Sequence, residues 1–326
     1  MNLFESEADW VGAELQQTPD KWLITLDRQD VAELDEAIRT LERLDKPITE
    51  IGQSDFPLTR LMPKIEHWLD RLRSGIGVVL VRGFPVESYT KDQAALAYWI
   101  IGQHMGAPAS QNTDGDMLGH VRDTGADPAD HNVRLYKTKV DLSFHTDGAD
   151  LIGLMCLRAG KSGGESRIVS SVHVFNEVVR RRPDLAPLLL KPFHHHAHGQ
   201  FGEDMKTFEL PIVTVDGPVF RMFLLLWYIR NAAQDFPDSA GLSPEQVELL
   251  DLVEAITQEP GVALDMSFQP GDMQFLKNSV ILHGRSEYED WDEPERKRHL
   301  LRLWLSRPDF YDGDMILRGG VAKRVD

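Results

Sequence analysis

Apolar residues change rhythm near residue 117, and that change leaves few architectures open. Before it, they recur at helical spacing: Val31, Leu34, Ile38, Leu41 and Leu44 within residues 27–44, then a second periodic stretch at 58–72 that ends on Ser74 and Gly75. After it, they come in short runs bounded by turn residues, at 142–145, 151–157, 167–169, 219–226, 262–268, 273–276, 280–283 and 300–305. Residues 77–84 read as one more buried strand, 93–104 as a helix, and 172–190 and 244–257 as helices inserted among the strands, the first stopped around Pro183 or Pro187. Alternating strand–helix units would imply a doubly wound parallel sheet, and that rhythm is missing. The pattern predicts an α+β chain with a β-rich core, a double-stranded β-helix (jelly roll) with flanking helices. With no linker, repeat or low-complexity tract, residues 1–326 are expected to form a single domain. Residues 1–75 would be a helical region packed on the barrel and 76–326 the jelly-roll core with helical insertions.

Charge and cysteine content narrow the function. Net charge is 35 − 52 = −17, so the overall field repels nucleic acid and anionic membranes. No apolar run approaches the roughly 18 residues of a membrane helix. The acidic start MNLFESEADW is unlike a basic targeting peptide. One cysteine, Cys156, cannot form an internal disulfide, and a cytoplasmic location is the expectation.

The chemistry centres on Ser143-Phe144-His145-Thr146-Asp147. On a strand, residues i and i+2 face the same way, so His145 and Asp147 could grip one metal while Thr146 points elsewhere. Chance alone supplies such pairs in a chain with 12 histidines and 52 acids, so the weight rests on what accompanies it. A distant histidine, His283, closes another apolar strand. Two imidazoles and one carboxylate on a face of an octahedron leave three positions open, which is the ligand set of non-haem Fe(II) oxygenases. Arg298 follows His283 by 15 residues at the start of a further apolar strand, and its planar fork suits a carboxylate. Arg302, four residues on, shares its face if the strand is extended.

His145-x-Asp147, Gly163-Gly164-Glu165-Ser166, Pro270-Gly271-Asp272, His283-Gly284-Arg285 and Arg298-His299-Leu300 occur in this order. As a set they resemble the taurine dioxygenase/TfdA family of Fe(II)/2-oxoglutarate-dependent oxygenases, relatives of γ-butyrobetaine hydroxylase and clavaminate synthase, over residues 77–308. The resemblance implies His145, Asp147 and His283 as iron ligands, Arg298 on the distal carboxylate of 2-oxoglutarate, and Ser166 hydrogen-bonded to that carboxylate. Arg302 matches a position that touches an anionic substrate in some members and is structural in others. The implied reaction couples oxidative decarboxylation of 2-oxoglutarate, giving succinate and carbon dioxide, to hydroxylation or desaturation of an unactivated C–H bond by O2. An acid at Asp147 argues against halogenation, for which that ligand position is left to chloride. The partners implied are a small molecule, with no nucleic acid and no membrane. Arg302 and the pair Lys137/Lys139 hint at a carboxylate or other anionic group on it. Relatives are often dimers or tetramers, so a homo-oligomer is compatible.

Other readings stay open. Asn278 either lines the cavity and binds substrate or caps a turn. Gly160-Lys161-Ser162-Gly163-Gly164 matches the Gly-x-Ser-x-Gly of serine hydrolases, which would pair Ser162 with His283, but the β-like residues after it favour a hairpin turn. A non-catalytic protein that binds iron and 2-oxoglutarate is the third alternative. His194, His195, His196 and His198 look like a metal tract, yet a strand would alternate their faces, and a substrate lid is the preferred use. The aromatic stretch 223–228 reads as core.

Overall fold

A computed structural model describes residues 1–112, 114–126, 137–199 and 204–310. Two antiparallel four-stranded layers carry the site. In the larger, Leu118–Val121, His299–Ser306, Leu151–Arg158 and Met273–Lys277 lie side by side. In the smaller, the order is Leu142–His145, Ile281–Arg285, Ser166–Ser170 and Leu264–Met266. Successive strands alternate between the layers, except that Ser166–Ser170 and Leu264–Met266 follow one another in the smaller, the winding of a double-stranded β-helix. The larger sheet is extended by Val78–Arg82, antiparallel to Met273–Lys277, and by Ala107–Ala109 beside His299–Ser306.

Period-two alternation divides each strand between two environments. Leu301, Leu303 and Leu305 point outward and are at most 1% exposed, packed with Met155, Leu157, Phe275 and three helices. Those helices are Arg28–Glu42, Met62–Ser74 and Lys91–Met105. They bury Leu34, Ile38 and Leu41, then Ile65, Trp68, Leu69 and Leu72, the periodic stripes that the sequence displays. Capping boxes fix two of their starts, Asp27 with Asp30 and Thr90 with Gln93. The opposite face of the same strands (Ile152, Leu154, Leu300 and Arg302) lines the interior cavity. On the outside of the smaller sheet, Ser171–Arg181 packs with Pro244–Thr257.

Two expectations need correction, those for residues 1–75 and 219–226, whereas a helix stop around Pro183 or Pro187 is as expected. The first 75 residues are not wholly helical: Leu23–Thr25 is a strand, parallel to Leu80–Arg82. The helix expected at 172–190 stops at Arg181, before Pro183, and a separate 3-10 turn follows at Ala186–Leu190. The strand expected at 219–226 ends at Met222, and Leu226–Asp235 is a helix burying Leu226, Ile229 and Ala232. An apolar, aromatic run of that length fits either state, and here the i, i+3 spacing prevails.

Candidate active site

His145 ends the edge strand of the smaller sheet, and His283 lies directly across from it on Ile281–Arg285. Their ring centroids are 4.3 Å apart. The strand stops before Asp147, so a shared pleat does not aim that carboxylate. A turn does: Asn278 accepts from the Asp147 backbone N–H at 3.0 Å and donates to the Asp147 and Ala149 carbonyls at 2.6 and 2.8 Å. Thr146 faces away, its backbone N–H and its hydroxyl tied to Leu224. Asp147 Oδ2 then stands 3.6 Å from His283 Nε2, and Oδ1 3.9 Å from His145 Nε2.

Each donor is oriented. His145 Nδ1 donates to the Ser143 carbonyl at 2.8 Å, which leaves Nε2 to face the centre. The Trp227 ring meets the His145 ring edge-on at 5.3 Å. Trp304 Nε1 donates to Asp147 Oδ2 at 2.9 Å, and Arg302 Nη1 lies 3.5 Å from the same oxygen. Arg302 is itself held by Gln111 Oε1 at 2.7 Å. Burial acts to raise the Asp147 pKa, but the Arg302 guanidinium, and after it His283, outweigh burial and hold it well below the usual carboxylate range. Burial, followed by the neighbouring His283, pushes His145 down to about 4. Both groups are therefore in their metal-binding protonation states at neutral pH.

Among the described residues, His145, Asp147 and His283 form the one group of three or more such side chains whose donor atoms all lie within 4.8 Å of one another. Two buried imidazoles and a half-buried carboxylate, without thiolate, fit Fe(II). The cavity beyond it holds about 510 Å³, counting the space at its mouth. Arg298 and Ser166 line it. Arg298 is 4% exposed; its Nη2 donates to the Gly164 carbonyl at 3.2 Å, while Nη1 is buried without a partner. A buried guanidinium with spare donors and no carboxylate within ion-pair distance among the described residues fits a carboxylate-bearing ligand. Gly164, with φ 75°, lets the chain cross this arginine, since a Cβ there would sit 3.0 Å from its Nε.

The remaining sequence expectations resolve as follows. Ser166 Oγ lies in the cavity wall and donates to Gln274 Oε1 at 3.1 Å. Of the two readings of Asn278, the turn cap describes its bonds: its amide is taken up by backbone and it does not line the cavity. Arg302 lines the cavity, but its charge already faces Asp147. Lys139 lies 3.9 Å from Asp123. Ser162–Gly163 pairs with Tyr288–Glu289, and the exposed Ser162 hydroxyl lies 3.4 Å from a Glu289 carboxylate oxygen, so the hairpin reading describes it and no hydrolase pair with His283 forms. The histidine tract is a strand, Pro192–His196, paired with Thr207–Pro211. His195 is buried beside Phe208, whereas His194 and His196 face Glu209 and Asp235. The loop beyond it lies partly outside the described residues.

Trp304, Gln111, Arg285 and Trp227 were not singled out from sequence. Trp304 had a signal, since it continues the every-second-residue series of Arg298, Leu300 and Arg302. Gln111 had none, because its partner lies 191 positions away.

Residues 44–304 match the taurine catabolism dioxygenase TauD, TfdA family. FR-33289 synthase of Streptomyces rubellomurinus is 27% identical over 311 residues, spanning 91% of this chain and 88% of that protein. A uridine-5'-phosphate dioxygenase of Amycolatopsis sp is 29% identical over 206 residues, 59% of this chain and 71% of that one. Among solved structures, asparagine oxygenase in complex with Fe(II), 2S,3S-3-hydroxyasparagine and succinate superposes with a TM-score of 0.69 at 16% identity, covering 92% of this chain and 99% of that one. The shared winding, the buried donor set and the family match over four-fifths of the sequence lead to one conclusion: this chain belongs to the TauD/TfdA family and is an Fe(II)- and 2-oxoglutarate-dependent dioxygenase.

Proposed function

We propose that this chain hydroxylates, or desaturates, an unactivated C–H bond of a small anionic molecule, with His145, Asp147 and His283 holding the iron. Arg298 and Ser166 bind the distal carboxylate of 2-oxoglutarate. The observation that carries this reading is the convergence of the three donors beside a cavity whose wall holds Arg298 with an unpartnered, buried Nη1. When bound, the iron with its cosubstrate supplies the oxidising chemistry. The protein supplies the rest. Asn278 holds the Asp147 backbone and Trp304 its carboxylate, Ser143 fixes the His145 tautomer, and apolar walls (Ile152, Leu154, Phe268 and Leu300) keep bulk water from the reacting C–H bond.

The charge of the cavity lining supports an anionic substrate. Three guanidiniums, those of Arg285, Arg298 and Arg302, line the cavity against the single carboxylate of Asp147. Iron at +2 and 2-oxoglutarate at −2 cancel, so the lining keeps an excess of two positive charges. Burying unbalanced charge is costly, and a phosphate, phosphonate, sulfonate or carboxylate on the substrate offsets it. That one relative acts on uridine-5'-phosphate supports the same class. A reducing, cytoplasmic setting agrees with the lone, buried Cys156. No helix among the described residues is long and apolar enough to cross a membrane.

The test is succinate formation from 2-oxoglutarate by purified protein with Fe(II) and ascorbate. Wild type is expected to form succinate slowly even without its substrate, and EDTA to stop it. Asp147→Ala is expected to abolish it. Wild-type rates in that variant would remove Asp147 from the metal site.

A further inference from the structure

Arg285 lines the same cavity as Arg298, and both lie close to Tyr288. On the smaller sheet Arg285 is the direct cross-strand partner of Ser166 and lies two residues from His283. Cross-strand partners and i, i+2 neighbours share a face, so Arg285 points inward with both, and all three line the cavity. Only 5% of it is exposed. One nitrogen, Nη2, donates to the Thr138 and Val140 carbonyls at 3.0 and 2.5 Å. Nε is buried without a partner, and among the described residues no carboxylate lies within ion-pair distance. Arg285 and Arg298 both lie over the Tyr288 ring, with Cζ atoms 4.8 and 5.0 Å from its centroid. The Tyr288 hydroxyl and Arg298 Nη1 are also buried without partners.

Two like charges in the cavity wall and a phenol that both approach, all with donors to spare, are thus gathered in one place. We propose that Arg285 is a second cation of the cosubstrate subsite, which closes with Arg298 on the distal carboxylate of 2-oxoglutarate and sets the preference for a dicarboxylate 2-oxo acid. This rests on the proposed assignment of Arg298 to that carboxylate. A lone arginine offers one fork; the pair offers donors from two side chains.

The experiment compares anaerobic binding of 2-oxoglutarate and of 2-oxopentanoate, which lacks the distal carboxylate, to the Fe(II)-loaded protein. The readout is the visible band of the iron–2-oxo acid chelate, with no turnover involved. Arg285→Gln is expected to weaken 2-oxoglutarate binding about ten- to a hundredfold, the loss of one charge-assisted contact, and to change 2-oxopentanoate binding little. The preference of wild type for the dicarboxylate should therefore collapse. A purely structural Arg285, acting as an anchor for Thr138 and Val140, would weaken both acids alike, and an unchanged ratio overturns the proposal. If Arg285→Gln does not fold, Arg285→Lys gives the same ratio, expected about tenfold below wild type because charge remains and the fork does not. Wild type that binds 2-oxoglutarate no better than 2-oxopentanoate would instead refute the assignment of Arg298.

Discussion

Replacing Trp304 with phenylalanine isolates one hydrogen bond at the proposed metal site. The indole Nε1 donates to Asp147 Oδ2 at 2.9 Å, and Trp304 is 4% exposed, so water cannot easily substitute. A hydrogen bond to a charged group in such a place contributes roughly 1.5–3 kcal/mol. Two effects oppose each other once it is gone. The carboxylate becomes more basic, which favours a dication, but it also loses the contact that fixes its rotation. Arg302 remains 3.5 Å from the same oxygen and limits the first effect. Loss of such supporting contacts typically lowers metal affinity ten- to a hundredfold, so orientation is expected to dominate. The smaller ring also leaves a void, costing roughly 1–2 kcal/mol of stability. Anaerobic competition for Fe(II) against a chromophoric chelator reads the first quantity, and urea unfolding of the metal-free protein reads the second. Iron affinity within twofold of wild type, with stability reduced, would refute the reasoning and leave Trp304 as packing alone.

Asn278→Ala removes three backbone contacts around Asp147 and should lower stability by roughly 2–4 kcal/mol in urea unfolding, with a parallel loss of iron affinity. Gly284→Ala would place a Cβ 2.5 Å from the Leu142 carbonyl oxygen, forcing apart the strands that carry His145 and His283; a loss of roughly 1–3 kcal/mol and weakened iron binding are expected, measurable in the same two assays. Acid should destabilise the metal-free protein between about pH 6.5 and 4. His145 is pushed down to about 4 by burial and by His283, whereas in the unfolded chain it titrates near 6.5, so within that window the unfolded state binds more protons and stability falls with pH. The contribution approaches roughly 3 kcal/mol, and His195, pushed to about 4 by its own burial, acts in the same direction. Urea midpoints that stay flat from pH 7 to 4.5 would contradict this.

The parts of this protein that were legible in its sequence are those governed by local periodicity. The stripes of Leu34, Ile38 and Leu41 and of Ile65, Trp68 and Leu72 mark helices because one face must be buried. The strand at His299–Ser306 is visible because Leu300, Leu301, Leu303, Trp304 and Leu305 flank a single Arg302, as burial on both faces requires. The start of Leu226–Asp235 is illegible in the sequence because leucine and aromatic residues suit strand and helix alike. For the site, residue types and order sufficed to bring together His145, Asp147 and His283, but not to explain how Asp147 is aimed. That depends on Asn278, 131 positions away, and on an indole reached only after the barrel closes. Arg302 shows the same limit: spacing places it in the cavity, while only three-dimensional neighbours reveal that its charge is already engaged.

The strand Leu142–His145 is outermost in the smaller sheet, with Ile281–Arg285 on one flank and no strand on the other among the described residues. Outer strands open more cheaply than inner ones. Peeling this one away would carry off His145 and drag on Asp147 just beyond it, so two of three donors would leave together. Bound iron would act as a clasp on that margin, and its escape would accompany a small local opening well before the barrel itself comes undone.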